Sequence, residues 1–213
     1  MLRKKALLGS VTVVVLLVAA TAALAANFTG TRGPDTINGT PKADRIDGRG
    51  GDDRINGRGG GDKIRGGSGD DGINGDRDCT PGSQGKPYYC LPGNAGKAGK
   101  DRIYGGSGQD TINGDQRDDI VSGQNGDDRL RGDDGNDRVR GGSGDDILRG
   151  GDGNDTIHGG SGMDQVHGGR GNDRIFVRDG KVDIVNCGPG RDRVTADRKD
   201  VIRANCENVS RRR

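Results

Sequence analysis

Sixteen aspartates recur along the chain at intervals of nine residues, with two interruptions. Each is followed two residues later by Ile, Val or Leu. Aspartate carboxylates are hard oxygen donors that bind Ca²⁺ through one or both oxygens. A column of stacked carboxylates would repel itself without a cation, so the spacing predicts a series of Ca²⁺ sites. The predicted metal ligands are Asp35, Asp44, Asp53, Asp62, Asp71, Asp101, Asp110, Asp119, Asp128, Asp137, Asp146, Asp155, Asp164, Asp173, Asp183 and Asp192.

The element that positions these aspartates is a unit of nine residues, which residues 141–176 repeat four times without a break as GGSGDDILR, GGDGNDTIH, GGSGMDQVH and GGRGNDRIF. Glycines at its first, second and fourth positions permit positive φ angles and close backbone approach, as a tight turn requires. The aspartate is at position six. The last three residues predict a short strand, whose apolar side chain at position eight points away from its two neighbours.

The bulk composition alone would indicate a disordered chain. It includes 44 glycines, 2% aromatic residues and no Trp, and the mean hydropathy is −0.85, so an ordinary globular core cannot form. The periodicity argues against disorder, because stacked copies would bury a continuous apolar column. We therefore expect a repeat fold whose stability depends on bound Ca²⁺.

The unit Gly-Gly-x-Gly-x-Asp-x-aliphatic-x resembles the calcium-binding nonapeptide of the hemolysin-type, or RTX, family. The resemblance covers residues 30–195 apart from one insertion. It implies an all-β fold, a right-handed parallel β-roll (β-solenoid), with two nonapeptides per coil and the Gly/Asp turns binding Ca²⁺. Aspartates eighteen residues apart would then lie on the same side of adjacent coils, which predicts up to about ten regular Ca²⁺ sites.

Five segments are expected along the chain. Residues 1–25 read as a signal peptide with basic residues, an apolar stretch and an Ala-x-Ala site, so a secreted protein without membrane contact is expected. The alternative is an uncleaved anchor, since the apolar stretch is about long enough to span a bilayer. The other segments are a first repeat block (26–74), a cysteine-containing insertion (75–95), a second repeat block (96–195) and a C-terminal cap with a basic tail (196–213).

Four cysteines in an exported chain predict two disulfides. Three connectivities are possible, and we favour Cys79–Cys90 with Cys187–Cys206 because each pair closes a small loop. The insertion is then either a stapled surface loop or a docking loop that presents its two adjacent tyrosines. In the cap, Val201, Ile202 and Val209 are expected to cover the open end of the coil.

The charge balance suggests a second partner besides calcium. Lys and Arg total 34 against 32 Asp and Glu, so a chain loaded with Ca²⁺ would be strongly positive. This favours the hypothesis of a calcium-dependent adhesin that binds an anionic polysaccharide or cell-wall polymer outside the cell. The alternative is that the arginines only screen the carboxylates. The chain has no specific nucleic-acid-binding motif.

An enzymatic function is not expected, and no residue is predicted to be catalytic. The only histidines, His158 and His167, are nine residues apart and should lie exposed on opposite sheets. The chain contains no HExxH, GxSxG or GxxxxGK[ST] motif. The sequence favours an extracellular calcium-binding protein that acts as a structural or binding module.

Overall fold

A computed structural model describes residues 25–76 and 98–211 of the chain. Within these ranges the regular structure consists of nineteen β-strands in two parallel sheets. The predicted all-β, parallel β-solenoid is confirmed. None of the described segments forms a helix long and apolar enough to cross a membrane. The predicted signal peptide, apart from Ala25, and the predicted Cys79–Cys90 disulfide lie outside the described residues.

Odd-numbered strands form one sheet and even-numbered strands form the other, because each nonapeptide supplies one strand and the chain then turns to the opposite side. The ten-stranded sheet contains, in spatial order, β1 (Asn27–Thr29), β3 (Arg45–Gly50), β5 (Lys63–Ser68), β7 (Arg102–Ser107), β9 (Ile120–Asn125), β11 (Arg138–Ser143), β13 (Thr156–Ser161), β15 (Arg174–Phe176), β17 (Arg193–Ala196) and β19 (Asn208–Arg211).

The nine-stranded sheet has its strands in the same order along the solenoid. It contains β2 (Thr36–Asn38), β4 (Arg54–Asn56), β6 (Gly72–Asn74), β8 (Thr111–Gln116), β10 (Arg129–Asp134), β12 (Ile147–Asp152), β14 (Gln165–Arg170), β16 (Ile184–Asn186) and β18 (Val201–Ile202). Equivalent residues of successive coils are in register, as Leu130 is with Leu148. One coil is therefore two nonapeptides, as the family resemblance implied.

The core is a column of aliphatic side chains from position eight of each repeat. All sixteen of the predicted inward residues are buried: Ile37, Ile46, Ile55, Ile64, Ile73, Ile103, Ile112, Val121, Leu130, Val139, Leu148, Ile157, Val166, Ile175, Val185 and Val194. Phe28 extends the column at the N-terminal end. Because successive side chains of a strand point to opposite faces, burying position eight leaves positions seven and nine on the outside.

The insertion does not interrupt the stacking of coils. Strands β5 and β7 pair in register, with Ile64 opposite Ile103 across it. Gly75 takes the first position of the turn that leads to Asp101, since an ideal Cβ on Gly75 would lie 2.2 Å from Oδ2 of Asp101. Residues 77–97, outside the described ranges, therefore connect two points within a single turn. Gly75 and Asp76 belong to the coil rather than to the insertion.

At the C-terminal end, β18 and β19 add one more strand to each sheet. The predicted Cys187–Cys206 disulfide is present and joins this last coil to the preceding turn. Of the three residues expected to cover the open end, Ile202 packs partly against the core, whereas Val201 and Val209 are exposed. The expectation was wrong for Val201, because it is in register with the outward Ile184. Val209 is in register with the buried Val194 and is exposed because β19 is the last strand of its sheet.

Candidate metal centre

The sixteen predicted aspartates form two buried columns, one along each row of turns, and each is at most 6% exposed. In both columns, Oδ1 of one aspartate accepts a hydrogen bond from the backbone N–H of the aspartate one coil earlier, as Asp146 does from Asp128 at 2.8 Å. Ten of these aspartate pairs are eighteen residues apart. The backbone of each coil thus fixes one oxygen of every carboxylate in the next coil.

The second oxygen is the feature that points to a metal. In the part of the chain that the structure describes, Oδ2 is buried and has no hydrogen-bond partner in fourteen of the sixteen predicted aspartates, namely Asp53, Asp62, Asp71, Asp101, Asp110, Asp119, Asp128, Asp137, Asp146, Asp155, Asp164, Asp173, Asp183 and Asp192. Burying one polar group without a partner costs about 1–3 kcal/mol, and the cost is higher for a charged carboxylate. A regular column of such oxygens is explained if each one is a cation ligand.

In every repeat except the last two, which begin with Arg178 and Cys187, the first residue is a glycine that faces this oxygen. An ideal Cβ on Gly141 would lie 2.1 Å from Oδ2 of Asp146 and 2.3 Å from the carbonyl oxygen of Gly159 in the next coil. A carboxylate oxygen and a carbonyl oxygen therefore lie around one Cα atom that must carry no side chain. Carboxylate and backbone carbonyl oxygens together are the ligand mixture that Ca²⁺ takes in proteins, so the residues present fit the ion.

Burial raises the pKa of these carboxyl groups, and repulsion between neighbouring aspartates raises it further. The pKa rises to about 6 for Asp53, to about 8 for Asp62 and to about 9 for Asp119. Desolvation is the largest cause in each case, while the hydrogen bond from the preceding aspartate's N–H lowers the pKa in part. A column with these pKa values takes up protons near neutral pH unless a metal replaces them.

Comparison with known protein families agrees with this geometry. A family model described as RTX calcium-binding nonapeptide repeat (4 copies) matches residues 29–64, 50–78, 95–121, 113–148 and 140–175. The chain belongs to this family. The matches span both repeat blocks, and the RTX repeats identify the chain as a calcium-binding repeat protein. No curated protein matches the chain.

The first two turns differ from the other RTX turns. Thr31 donates to Oδ2 of Asp35 from its backbone N–H at 2.5 Å and from its hydroxyl at 3.1 Å. Thr40 does the same for Asp44, at 2.5 and 3.0 Å. The second oxygen of both carboxylates is therefore satisfied within its own turn. Spacing alone could not separate these two aspartates from the rest, but the threonine at position two is the distinguishing sequence signal.

The structure also brings together residues that counting at a spacing of eighteen misses. Asp62 donates its backbone N–H to Asp101 at 2.6 Å, and Asp71 donates to Asp110 at 2.9 Å, so the columns continue across the insertion. Asp200 extends one column at its C-terminal end, where it accepts from the backbone N–H of Asp183 at 3.2 Å. These partners could be found only by knowing which residues loop out of the coil.

The two histidines lie on opposite sheets, as expected. His158 is in β13 and His167 in β14, and both side chains are exposed. The His158 ring stacks on Phe176 of the next coil, with centroids 4.5 Å apart. Both imidazoles are thus on the outer faces of the sheets, whereas the buried aspartates of the described residues lie in the turns.

Proposed function

We propose that the protein is an extracellular calcium-binding module in which Ca²⁺ ions, held between stacked turns by paired aspartates, drive the chain to fold. The observation that carries this proposal is the series of fourteen buried Oδ2 atoms without a hydrogen-bond partner in the described ranges. Bound Ca²⁺ would supply the positive charge that these oxygens need. The aspartates and glycines of this chain supply fixed oxygen ligands, and the aliphatic column holds consecutive turns in register.

The proposed ligands are these fourteen aspartates, in pairs one coil apart. Eight of the ten pairs eighteen residues apart join two of these aspartates, and the pairs Asp62–Asp101 and Asp71–Asp110 have the same hydrogen-bonded arrangement. Asp35 and Asp44 are proposed to end their columns rather than to bind tightly, because threonine already donates to their second oxygen.

Calorimetry and circular dichroism during a Ca²⁺ titration of the full chain test the proposal. We expect a disordered spectrum in chelator and a β-type spectrum in millimolar Ca²⁺, because extracellular calcium modules bind at roughly 10⁻⁴ to 10⁻³ M. Mg²⁺ is the control cation: it demands octahedral geometry and keeps its water ligands, so it should produce little folding. Absence of heat and of any spectral change on adding Ca²⁺ would refute the proposal.

Secretion is the second part of the proposal. The Cys187–Cys206 disulfide supports an oxidising compartment, and the N-terminal sequence supports export by cleavage after Ala25. Mass determination of the protein recovered from culture medium tests this. A mature chain that begins at Ala26 is expected, whereas a full-length chain found only in membranes would indicate an uncleaved anchor.

A calcium-dependent adhesin is the second candidate function, and one face of the solenoid favours it. At positions seven and nine, the outer face of the ten-stranded sheet carries eight cationic side chains and one acidic side chain, Asp47. The cations are Arg45, Lys63, Arg65, Arg102, Arg138, Arg140, Arg174 and Arg193. Strands lie about 4.8 Å apart, so these charges form a ladder that an extended anionic polysaccharide could follow.

Retention on immobilised acidic polysaccharide, with and without Ca²⁺, tests this second function. Replacing Arg138, Arg140 and Arg174 by Gln should abolish calcium-dependent retention. The matched control replaces three arginines on the nine-stranded sheet, Arg129, Arg131 and Arg149. Equal retention with and without Ca²⁺, or equal losses in the two triple variants, would remove the hypothesis.

A further inference from the structure

Three carboxylates meet where the insertion leaves the solenoid. Asp62, Asp76 and Asp101 each place one carboxylate oxygen within 4.8 Å of the others. All three are buried, with exposures of 1%, 2% and 1%. Asp62 and Asp101 are consecutive members of one aspartate column, and Asp76 enters the group from the turn that leads to Asp101.

The separations suit a single cation. Two oxygens bound to one Ca²⁺ at about 2.3–2.6 Å can lie at most about 5.2 Å apart, so all three carboxylates can reach the same ion. The Gly75 carbonyl oxygen lies on the same side, since an ideal Cβ on Gly57 would be 2.2 Å from Oδ2 of Asp62 and 2.6 Å from that carbonyl oxygen. The chain thus offers three carboxylates and a backbone carbonyl at one place.

The unpartnered oxygens of this group are an independent sign of a ligand. Oδ2 of Asp62 and Oδ2 of Asp101 are buried and accept no hydrogen bond from any residue that the structure describes. Other oxygens of the cluster are hydrogen-bonded: Oδ1 of Asp101 accepts from the Asp62 N–H, and Oδ2 of Asp76 accepts from the Gly99 N–H at 2.5 Å. The hydrogen bonds hold the carboxylates in place and leave the Oδ2 atoms of Asp62 and Asp101 without a described partner.

The third carboxylate distinguishes this place from the regular turns. Asp76 holds position two of its repeat, which is a glycine with a positive φ in some turns, such as Gly151 or Gly169, and another residue in others, such as Asp133. Among the described residues, this is the turn at which a third carboxylate comes within 4.8 Å of two consecutive aspartates of a column. Affinity for Ca²⁺ rises with the number of charged ligands and with the rigidity of the site.

We propose that Asp62, Asp76 and Asp101 form a distinct divalent-cation site that binds Ca²⁺ more tightly than the repeat turns. The inference rests on the proposed function, because Asp62 and Asp101 also belong to the calcium column. The site spans the two ends of the insertion, so its ion links Asp62 and Asp76, which precede the insertion, to Asp101, which follows it. It fills at lower Ca²⁺ concentration than the rest and joins the two repeat blocks first.

Calorimetric titration of the full chain with Ca²⁺, in the presence of a competing chelator, separates tight from weak ions. The wild type should show about one ion that binds at least about ten-fold more tightly than the others, because this site adds a third carboxylate. Asp76→Asn should weaken that ion about ten-fold and leave the weaker ions unchanged. Asp133→Asn is the control, since Asp133 also holds position two of its repeat but lies outside the cluster.

A wild type that binds calcium with a single weak phase overturns the inference and leaves the proposed function intact, whereas a wild type without calcium heat overturns the proposed function. Equal losses in D76N and D133N would show a general charge effect and also overturn the inference. If D76N does not fold in saturating Ca²⁺, Asp76→Glu decides: folding of D76E supports a need for the carboxylate, and its failure contradicts it.

Discussion

At the scale of single residues, the first glycine of a repeat is required by the oxygens around it. We predict that Gly141→Ala destabilises the calcium-loaded protein by about 1–3 kcal/mol, as overpacking does in a close-packed interior. The new Cβ would lie 2.1 Å from Oδ2 of Asp146 and 2.3 Å from a backbone carbonyl. Chemical denaturation in excess Ca²⁺ measures the loss.

Gly33→Ala is the control for that substitution. Its nearest heavy atom, the Thr31 hydroxyl oxygen, is 4.0 Å from the ideal Cβ, and its φ is not in the left-handed region. Removing a glycine from a turn that alanine can adopt is neutral or slightly stabilising. A G141A protein as stable as G33A would show that the carboxylate and carbonyl positions are not constrained as described.

Two adjacent aspartates give a second test at this scale. Asp146→Asn removes the charge at a buried oxygen without a described partner, and we predict the loss of about one to two bound Ca²⁺ ions, because each carboxylate adjoins two neighbouring coils. Asp145→Asn changes an exposed side chain whose Oδ1 accepts from Met163 N–H at 2.7 Å, a role that an amide oxygen can keep. Calorimetric stoichiometry separates them, and equal ion counts for D146N and the wild type would contradict the ligand assignment.

The aspartate set and its inward partners could be predicted from the sequence because both follow one period of nine. The role of Asp76 could not, since it has no place in that period until Gly75 is known to head the turn. The satisfied state of Asp35 likewise depends on where the Thr31 hydroxyl lies, a detail of turn conformation. Periodicity therefore identifies the column, and the hydrogen bonds determine which of its aspartates have an oxygen without a partner.

At the scale of elements, the strands are longer than the unit suggests. Three residues per repeat were expected, but strands such as β11 (Arg138–Ser143) are six residues long and extend three residues into the following unit. The reason is that Gly142 and Ser143 stay in register with Gly160 and Ser161 of the next coil. Main-chain pairing between identical turns, which sequence periodicity does not report, extends each strand past its apolar residue.

The Cys187–Cys206 disulfide is expected to stabilise the C-terminal coil more than it stabilises the interior coils. Cys187 and Cys206 are 19 residues apart, and closing a loop of that length stabilises a fold by about 3 kcal/mol. We predict that Cys187→Ala with Cys206→Ala lowers the free energy of unfolding by about that amount. Denaturation in excess Ca²⁺ measures it, and hydrogen exchange shows where the loss occurs.

The loss should be local, because each coil of a solenoid contacts only its neighbours. Exchange should speed up in β16–β19, and β11 and β12 serve as internal controls with unchanged protection. Uniformly faster exchange along the whole solenoid would contradict a capping role for the last coil.

At the scale of the whole molecule, the charges are segregated. The sixteen repeat aspartates are buried along two rows of turns, while most of the described arginines lie on the outer faces of the sheets. Burial of these carboxylates therefore destabilises the turns, where the calcium is proposed to bind. This makes protons and Ca²⁺ competitors for the same oxygens over the full length of the solenoid.

That competition predicts opposite pH dependences with and without calcium. In chelator, the raised pKa values, about 6 for Asp110, about 7 for Asp155 and about 9 for Asp119 against 3.8 without the fold, mean that the folded chain binds more protons than the unfolded chain. The stability that these groups contribute is fully present below about pH 4 and is lost as pH rises through about 6 to 9. The calcium-free chain should therefore gain β-structure when the pH is lowered from about 8 to about 5.

With calcium the sign reverses, because the ion requires ionised carboxylates and each bound ion displaces protons. The Ca²⁺ concentration at the folding midpoint should rise as pH falls from about 8 to about 6, since the protonated acids must lose their protons before the ion binds. Circular dichroism in chelator and calcium-buffered titrations at the same pH values measure the two slopes. A calcium-free chain that loses structure on acidification, or a calcium midpoint independent of pH, would show that the buried aspartates are not the groups that bind the ion.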